Sequence, residues 1–488
     1  MSASNVLKIC MPCSEYTPLA KTGGLADVTS ALAEYFVSAG HKVLVLMPHY
    51  ASLDLTGRTI ESVPGLQDLQ MTLGGRVFGY SIARASADEG GADVHILQCD
   101  ELYGGAELYS GPEEHLRFIL LSRAAIEMCQ KLSFAPDIFH CHDWHTAMVP
   151  LYLKTVYGWD QMFKDSRTVL TIHNIGYQGV FGKGILGEMG LLESAGMLDS
   201  DDLAGDRVNF LKTGVMHADL LTTVSPTYSR EILEPEYGMG LEQLLRARGG
   251  SVVGILNGAD YGEWNPETDP LIPFSYSARK LAGKEKNKKA LLKELGIEYK
   301  YDRPLIGMIT RLTYQKGIDL VKEVLPQILE SRDVSLVVLG NGEHDYEEFF
   351  HWLHCEYGKR VSFYQGFNNQ LAHRIEAGSD IFLMPSRYEP CGLNQMYSLK
   401  YGAVPVVRAT GGLADSVQHF DPVEGTGTGV VFHDYDANGL KWAINTALDL
   451  YGNKHAWKKI VHNGMAKDYS WEEQGKAYLD RFLRLIRQ

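Results

Sequence analysis

The sequence predicts an α/β protein made of two doubly wound domains, each with a parallel sheet covered by helices. In the first fifty residues an apolar run (6–12), a glycine-bearing loop, a helical pattern (26–38) and a second apolar run (42–48) follow one another, which is the order of a βαβ unit. A second series of short apolar runs with helical spacing between them begins near residue 252. Such nearly continuous apolar strands are typical of parallel sheets buried on both faces.

Length and composition are those of a folded globular protein with two or three domains. The chain has 488 residues, of which 45% are hydrophobic and 22% charged, and a typical domain has about 150 residues. Its 46 Lys and Arg residues stand against 60 Asp and Glu residues, a formal net charge of −14. This balance argues against a surface that follows nucleic-acid phosphates, although it leaves room for a local basic pocket.

Cysteine usage and the N-terminal segment predict a cytoplasmic protein. The seven cysteines are scattered along the chain and show no zinc-like Cys/His spacing, so we interpret them as reduced thiols. The first residues resemble neither a signal peptide nor a transit peptide, and no run of about 18 apolar residues occurs. We therefore expect neither a membrane span nor a membrane partner.

Further apolar runs extend both sheets. Those of the first domain span residues 136–142, 167–173 and 219–225. Those of the second span residues 252–258, 304–311, 334–340, 361–366, 380–386 and 404–412. We place the first domain at residues 1–250 and the second at 251–466. The last residues form an amphipathic helix that must dock on an apolar surface.

Doubly wound sheets bind ligands at the carboxyl ends of their strands, so two facing domains would share a cleft. The loop after the first strand carries Lys21, followed by Gly23 and Gly24 at the start of a helix. Free N–H groups, the helix dipole and the ammonium would attract an anion there, although an ordinary tight turn has the same pattern. The loop matches neither a P-loop nor a dinucleotide fingerprint, which disfavours an NTPase or an NAD enzyme.

Two loops of the second domain also suit a phosphorylated ligand. Arg311 and Lys316 follow one strand, and a guanidinium with an ammonium fits a diphosphate leaving group, whose charge grows as its bond breaks. A surface salt-bridge loop is the alternative. Glu389 lies in a Pro-flanked turn after a later strand, before backbone amides near Gly392 and Leu393 that suit phosphate. Another Gly-Gly helix start follows at 411–412.

Histidines cluster in the first domain. Three histidines and an aspartate lie between residues 140 and 145, and His173 ends another strand. The spacing turns part of this set into the sheet, which disfavours a metal site. We favour a sugar-binding rim in which Asp143 and His145 bind hydroxyl groups and the ring of Trp144 lies against a sugar face.

The motifs and their order resemble those of the bacterial glycogen synthase and starch synthase family. They are KTGGLADV, HCHDWHTAM, TIHNIGYQG, TRLTYQKGIDL, SRYEPCGLNQMYSLKYG and TGGLADSV, and they span nearly the whole chain. The resemblance implies a GT-B fold, in which two Rossmann-like domains face each other across a deep cleft and residues 467–488 return to complete the first, glucan-acceptor domain. It also implies transfer of glucose from ADP-glucose to the non-reducing-end 4-hydroxyl of an α-1,4-glucan, with retention of configuration.

The resemblance implies roles for individual residues. The catalytic set is Lys21, His173, Arg311, Lys316 and Glu389. The donor-binding set is Gly23, Gly24, Phe367, Cys391, Gly392, Leu393, Gly411 and Gly412, with the ring of Phe367 on the nucleobase. The sugar and acceptor set is Asp27, Asp143, Trp144, His145 and Asn257. No metal or other cofactor is expected, because Arg311 and Lys316 supply the positive charge.

The sequence departs from the family at a few positions. Residues 100–118 form a short version of a family loop, and Glu113 and Glu114 stand where an Asp-Asn pair is expected. Asn394 replaces a threonine that is common after the PCGL run. These departures concern loop contacts to donor or acceptor and leave the catalytic set intact.

Three alternatives stay open at this point. A related GT-B glucosyltransferase would use UDP-glucose, since residues that bind phosphate and glucose do not distinguish the bases. A glucan phosphorylase would share the architecture but require a lysine-bound pyridoxal phosphate. A catalytically silent glucan-binding protein is the alternative outside the enzymes, and the intact catalytic set argues against it.

Overall fold

The chain forms two compact units. The computed structural model describes residues 6–85, 91–105, 108–109, 111 and 113–487. The first unit contains Met1–Val224, Ser229–Gly258 and Trp471–Gln488, and the second contains Ser225–Tyr228 and Ala259–Ser470. Each unit has its own large sheet with helices around it.

The strands of the first unit are short, and those at the centre of its sheet are almost wholly buried. They are β1 (Lys8–Pro12), β2 (Lys42–Pro48), β3 (Ile60–Ser62), β4 (Leu69–Leu73), β5 (Arg76–Ala85), β6 (Asp93–Gln98), β7 (Ile138–His142), β8 (Arg167–Ile172), β9 (Val180–Gly182), β10 (Arg207–Asn209), β11 (Leu220–Thr223) and β12 (Val252–Gly254). β9 and β10 form a separate antiparallel pair.

The strand order places a ligand-binding edge in the middle of the first sheet. The order is β12-β11-β8-β7-β1-β2-β6-β5-β3, and β4 pairs with β5. The chain passes from β1 to its parallel neighbour β2 on one side and later returns to β7 on the other. The carboxyl ends of β1 and β7 therefore flank a topological switch point, where doubly wound sheets bind ligands.

Helices follow the strands of this sheet. They are α1 (Gly24–Ser38), α2 (Asp100–Tyr103), α3 (Glu114–Lys131), α4 (Asp143–Thr146), α5 (Val149–Lys154), α6 (Leu186–Met189), α7 (Ser200–Ala204), α8 (Phe210–His217), α9 (Pro226–Glu231), whose first three residues belong to the second unit, and α10 (Glu242–Ala247). In α1 the apolar residues Leu25, Leu32 and Phe36 recur at helical spacing and are buried. This apolar face explains why the segment is a helix that covers the sheet.

The second unit has a wholly parallel sheet. Its strands are β13 (Leu305–Ile309), β14 (Ser335–Gly340), β15 (Val361–Gln365), β16 (Ile381–Met384), β17 (Val404–Arg408) and β18 (Val430–Phe432). Its helices are α11 (Ala282–Glu294), α12 (Ile318–Ser331), α13 (His344–Glu356), α14 (Asn369–Gly378), α15 (Asn394–Tyr401), α16 (Gly411–Ser416), α17 (Ala437–Gly452) and α18 (Lys454–Met465). The strand order β15-β14-β13-β16-β17-β18 is the 3-2-1-4-5-6 order of a Rossmann sheet. Its switch point lies between β13 and β16.

The boundary between the units differs from the predicted one. Residues 251–258 were predicted to belong to the second domain, but Val252 and Gly254 of β12 pair with β11 of the first sheet. The first unit therefore runs on to Gly258. A short apolar run has the same pattern whichever parallel sheet it joins, so only strand pairing could decide its place.

The C-terminal helix α19 (Trp471–Leu485) packs within the first unit. The ring centres of Phe482 and Phe36 of α1 lie 5.5 Å apart. Gly475 allows the close approach, because a Cβ atom there would lie 2.2 Å from the Tyr35 ring. The helix starts four positions after the predicted residue 467, and its apolar face is the one that the sequence pattern identified.

Within the ranges that the structure describes, none of the helices combines the length and the apolar character needed to cross a bilayer.

Candidate active site

Two side chains from different loops meet at the switch point of the second sheet. Lys316 ends the turn after β13, and Glu389 lies in the loop after β16. The Lys316 Nζ donates to Glu389 Oε1 at 2.9 Å and to Oε2 at 2.7 Å, and Ser386 Oγ donates to Oε2 at 2.9 Å. Because β13 and β16 are neighbours, residues 73 positions apart become partners. An ammonium and a buried carboxylate thus occupy the edge where this fold binds ligands.

Glycines allow the loops of this edge to touch through their backbones. A Cβ atom on Gly317 would lie 2.1 Å from a carbonyl oxygen of the β16 loop. Cβ atoms on Gly411 and Gly412 would lie 1.9 Å and 2.1 Å from the carbonyl oxygens of Glu389 and Cys391. Contacts this short exclude any side chain. The structure therefore gives Gly411 and Gly412 a clear part in holding the backbone at Glu389, and their predicted contact with the donor stays a prediction.

The other predicted donor residues of this unit differ in exposure. Arg311 is exposed in the loop after β13, and Phe367, after β15, has 79% of its surface exposed. Cys391 is buried, whereas Gly392 and Leu393 are half-buried just before α15. The exposed ring of Phe367 can stack on a flat ligand group. The buried Cys391 thiol is not accessible to a ligand.

Two arginines that the sequence analysis did not single out also lie at this edge. Arg387 follows β16, and its guanidinium carbon lies 5.2 Å from the ring centre of Tyr435. Arg408 ends β17, and its guanidinium carbon lies 5.4 Å from the same ring. Cation–π attraction holds both groups at this ring. They add positive charge to the loops that carry Lys316 and Glu389.

At the switch point of the first sheet, the loop between β1 and α1 is occupied by its own side chains. The Lys21 Nζ forms an ion pair with Asp27 Oδ1 at 2.7 Å. The buried Glu15 carboxylate accepts from the backbone N–H of Thr22 at 2.6 Å and from that of Gly23 at 3.3 Å. Two of the backbone donors predicted for an anion are thus satisfied within the protein. Gly24, the first residue of α1, is exposed.

Glu15 connects two loops, because the hydroxyl of Tyr109 donates to its Oε1 at 2.5 Å. The Tyr109 ring stacks on the imidazole of His145, with ring centres 4.7 Å apart. Glu15 follows β1 and His145 lies after β7, so Tyr109 bridges the two sides of the switch point. Neither Glu15 nor Tyr109 was among the residues predicted from the sequence. Its position, as an acidic residue between a buried strand and the Lys-Thr-Gly-Gly loop, is the sequence feature that could have identified Glu15 as a site residue.

Asp143 holds the backbone that carries His173. It stands at the turn from β7 into α4 with a φ of 51°, in the left-handed region. Its Oδ1 accepts from the backbone N–H of His173 at 2.7 Å and from that of Asn174 at 3.3 Å. The structure therefore shows Asp143 as a support for the loop after β8.

The predicted sugar rim differs from the structure at Trp144 and His145. Only 6% of the Trp144 surface is exposed, and its ring packs edge-on against Phe118 with centres 4.8 Å apart. A Cβ atom on Gly179 would lie 2.2 Å from the same ring, so the β8 loop covers it. Apolar and aromatic neighbours, which the local sequence does not reveal, bury both rings. Neither offers an open face to a sugar.

Burial sets the charge states of this cluster. Burial raises the pKa of Asp143, the hydrogen bonds from His173 and Asn174 lower it, and the net pKa is about 7. Burial lowers the pKa of His145 and His173 to about 3. The imidazoles are therefore neutral near pH 7, because a low-dielectric interior disfavours the charged form.

Asn257 is the last predicted acceptor residue. It lies just after β12 in the first unit and is buried. Its Oδ1 atom finds no hydrogen-bond partner among the described residues. A buried, unsatisfied amide oxygen is costly and is typical of a position that a ligand or water completes.

The metal interpretation of the histidine cluster gains no support. Across residues 6–85, 91–105 and the rest of the described chain, no group of three or more His, Cys, Asp or Glu side chains has the geometry to hold a metal ion.

Comparisons with known proteins agree with this architecture. The family model described as starch synthase catalytic domain matches residues 8–247, and the one described as glycosyl transferases group 1 matches residues 293–463. Glycogen synthase 1 of Geobacter sulfurreducens is 42% identical over 99% of this chain and 97% of its own length. The chain belongs to the glycogen synthase family. Glycogen synthase of Geotalea daltonii, 43% identical over 98% of this chain and 99% of its own length, is a second such relative.

Solved structures place this family member in the GT-B fold. The catalytic domain of starch synthase IV from Arabidopsis thaliana, bound to ADP and acarbose, matches with a TM-score of 0.92 and 32% identity over 99% of this chain and 100% of that one. Sucrose-phosphate synthase from Thermosynechococcus elongatus matches with a TM-score of 0.60 and 17% identity over 99% of each chain, which supports the fold alone. The protein is therefore a GT-B glycosyltransferase, as the sequence predicted.

Proposed function

We propose that this glycosyltransferase moves glucose from ADP-glucose to the 4-hydroxyl at the non-reducing end of an α-1,4-glucan, with retention of configuration. The observation that carries the proposal is the contact of Lys316 with Glu389 at the switch point of the second sheet. It combines a cation suited to a leaving diphosphate with a carboxylate suited to sugar hydroxyls. The ADP in the Arabidopsis structure supports an adenine nucleotide, and the glycogen synthase relatives support a glucan acceptor.

The second unit carries the groups for the leaving nucleotide. Lys316 and Arg311 stabilise the negative charge that grows on the diphosphate as the glycosidic bond breaks. Lys316 is already held by the Glu389 carboxylate, so little reorganisation is needed when the donor binds. Phe367 stacks on the nucleobase. Cys391 is too buried for direct contact and supports the loop beside Glu389.

The first unit carries groups for sugar and phosphate. We assign Lys21 to the donor phosphates, which compete with Asp27 for its ammonium, and His173 to the transferred glucose. Asn257 offers its unsatisfied amide oxygen to a sugar hydroxyl. Asp143 acts through the backbone of His173 rather than by touching sugar.

The reaction on these groups needs no cofactor. The departing phosphate takes the proton of the acceptor hydroxyl on the same face of the sugar, and this geometry retains configuration. The positive charge of Lys316 and Arg311 takes the place that a metal ion fills in other transferases. We propose that the binding partners are ADP-glucose, ADP and the glucan, with no nucleic acid or membrane, and that the protein works in the cytoplasm.

The test is glucose transfer from labelled ADP-glucose and, in parallel, UDP-glucose onto glycogen. We expect incorporation from ADP-glucose, lost in Glu389→Ala and retained in the surface variant Glu424→Ala. Incorporation from UDP-glucose alone would overturn the donor and keep the reaction. Incorporation from neither donor would overturn the proposal and favour a glucan-binding protein.

A further inference from the structure

Two histidines of the first unit meet at the carboxyl edge of their sheet. His142 is the last residue of β7, and His173 comes directly after β8, the parallel neighbour of β7. The register pairs His142 with Thr171, so the two imidazoles reach each other across adjacent strands. His142 Nδ1 lies 3.0 Å from His173 Nε2, with the ring centres 5.3 Å apart. The distance is that of a hydrogen bond between ring nitrogens.

The other nitrogen of His142 decides which atom carries the hydrogen. His142 is fully buried, and its Nε2 has no hydrogen-bond partner among the described residues. A buried N–H without an acceptor costs more than a buried lone pair without a donor, and such N–H groups are rare. The ring hydrogen of neutral His142 therefore belongs on Nδ1. From there it can only donate to His173 Nε2.

Both rings are neutral, so the hydrogen bond does not join an imidazolium to an imidazole. Burial lowers the pKa of His173 to about 3 and lowers that of His142 well below its ordinary value, with the nearby histidines acting in the same direction. A neutral imidazole has one hydrogen. Since His173 Nε2 accepts from His142, the one hydrogen of His173 must be on Nδ1.

We propose that His142 is a positioning residue that fixes the orientation and the tautomer of His173, so that His173 presents an Nδ1–H donor to the sugar. The same short segment also fixes the backbone, because Asp143 accepts from the His173 N–H. One strand end thus holds both the ring and the backbone of His173. His173 is the most exposed histidine of the cluster at 9%, whereas His142 is at 0%.

The contact of His173 with the sugar rests on the proposed function. The tautomer itself is a property of the protein without substrate. As an Nδ1–H donor that stays neutral, His173 contributes a hydrogen bond to an oxygen of the transferred glucose and no proton transfer. A general acid or base would instead need a pKa near the working pH.

The direct test is the nitrogen-15 spectrum of the histidine side chains in the intact protein, with the His173 signal assigned from its loss in His173→Asn. We expect cross-peaks that identify protonated Nδ1 and unprotonated Nε2 for His173, and the same tautomer for His142. An Nε2–H tautomer at His173 would overturn the proposal, whatever the enzyme does with ADP-glucose.

The kinetic test uses two variants at one position. In His142→Asn the side-chain amide stands close to the place of Nδ1 and still donates to His173, whereas His142→Leu cannot donate. We expect His142→Leu to lose about tenfold or more in kcat, with little change in KM for the glucan, and His142→Asn to recover most of it. Equal losses in both variants would show a packing role and overturn the proposal.

The matched control is His140→Gln. His140 is as buried as His142, and the centres of the two rings lie 4.2 Å apart. The His140 Nε2, however, forms a hydrogen bond with Thr171 Oγ1 at 2.7 Å and not with His173. Gln keeps a donor for Thr171, so we expect kcat within about twofold of the parent and an unchanged His173 spectrum. A changed His173 tautomer in this control would mean that general packing, and not His142, sets it.

Discussion

The two sheets hold their candidate site residues at equivalent switch points by different means. In the second unit, the half-buried Lys316 forms an ion pair with the buried Glu389. In the first unit, the imidazoles of His142 and His173 are neutral, and the Glu15 carboxylate is held by neutral N–H and O–H donors. The second edge thus relies on a largely buried ion pair, whereas the first, whose ion pair of Lys21 with Asp27 is more exposed, relies on hydrogen bonds from neutral groups.

Because of this difference, the two edges should tolerate different substitutions. Removing one partner of a buried ion pair leaves an uncompensated charge and costs about 3–5 kcal/mol. Removing a hydrogen bond between neutral groups costs about 0.5–1.5 kcal/mol, and removing one to a charged group such as the Glu15 carboxylate costs about 1.5–3 kcal/mol. Variants at the second edge should therefore show larger effects than variants at the first.

The largest effect is expected for Lys316→Ala. It removes the charge for the leaving diphosphate and leaves the Glu389 carboxylate buried without its cation, so kcat should fall by about 10²–10³-fold. Single-turnover transfer from ADP-glucose measures the loss. Lys322→Ala, at an exposed position of α12, is the control and should retain full kcat. A normal kcat in Lys316→Ala would remove the charge argument for this edge.

A smaller effect is expected for Gly412→Ala, which tests the backbone contact behind Glu389. The new Cβ atom would lie 2.1 Å from the Cys391 carbonyl oxygen, so the loop must move. We expect the free energy of unfolding to fall by about 1–3 kcal/mol, measured by urea titration. Gly452→Ala at the end of α17 meets nothing within 4 Å and serves as the control. Equal stability of the two variants would contradict the packing role.

In the first unit, Glu15→Ala should have a more modest effect. It frees the N–H groups of Thr22 and Gly23 and the hydroxyl of Tyr109, so the loop loses its order and KM for the donor should rise by about five- to tenfold. Glu15→Gln keeps one acceptor for the amides and a donor for the hydroxyls. It should therefore stay closer to the parent in steady-state kinetics. A Gln variant as weak as the Ala variant would mean that the negative charge itself matters.

The smallest effects are expected in the pH dependence of stability, where the units have opposite signs. Burial would lower the pKa of His373 in the second unit, but the hydrogen bond to Asp269 and the nearby Glu263 carboxylate outweigh it and raise the pKa to about 9. Its stabilisation is present below its ordinary pKa of 6.5 and is lost as the pH rises to about 9. The difference in melting temperature between the parent and His373→Gln should shrink over this range. A constant difference would contradict the assigned pKa.

The buried histidines of the first unit should act in the opposite direction. Burial lowers the pKa of His140 and His145 to about 3, so their neutral forms support folding above pH 6.5 and this support is lost as the pH falls from 6.5 to about 3. Asp143 partly offsets the loss, since its pKa of about 7 means that protonation on acidification favours the folded state. Melting temperatures of His140→Gln should therefore fall less steeply with acid than those of the parent. An equally steep fall would count against the assignment.

Sequence alone reached the fold class and most strand positions, because apolar periodicity reports burial directly. It also reached Lys316 and Glu389 as candidates, since each follows a strand that the pattern identifies. It misjudged the rim at Trp144, whose burial depends on Phe118 and the β8 loop. It missed Glu15, whose role in joining two loops depends on a hydrogen bond from Tyr109, 94 positions away.

Local sequence patterns were enough to predict the periodic elements, the glycine turns, the charged residues at strand ends and the family to which the chain belongs. The three-dimensional fold was needed to show that β12 joins the first sheet, that Lys316 bonds to Glu389 and that His142 bonds to His173. The physical reason is that periodicity and turn chemistry are local properties of the chain. Hydrogen-bond partners and desolvation depend on which strands become neighbours, and strand order is set by the packing of the whole unit.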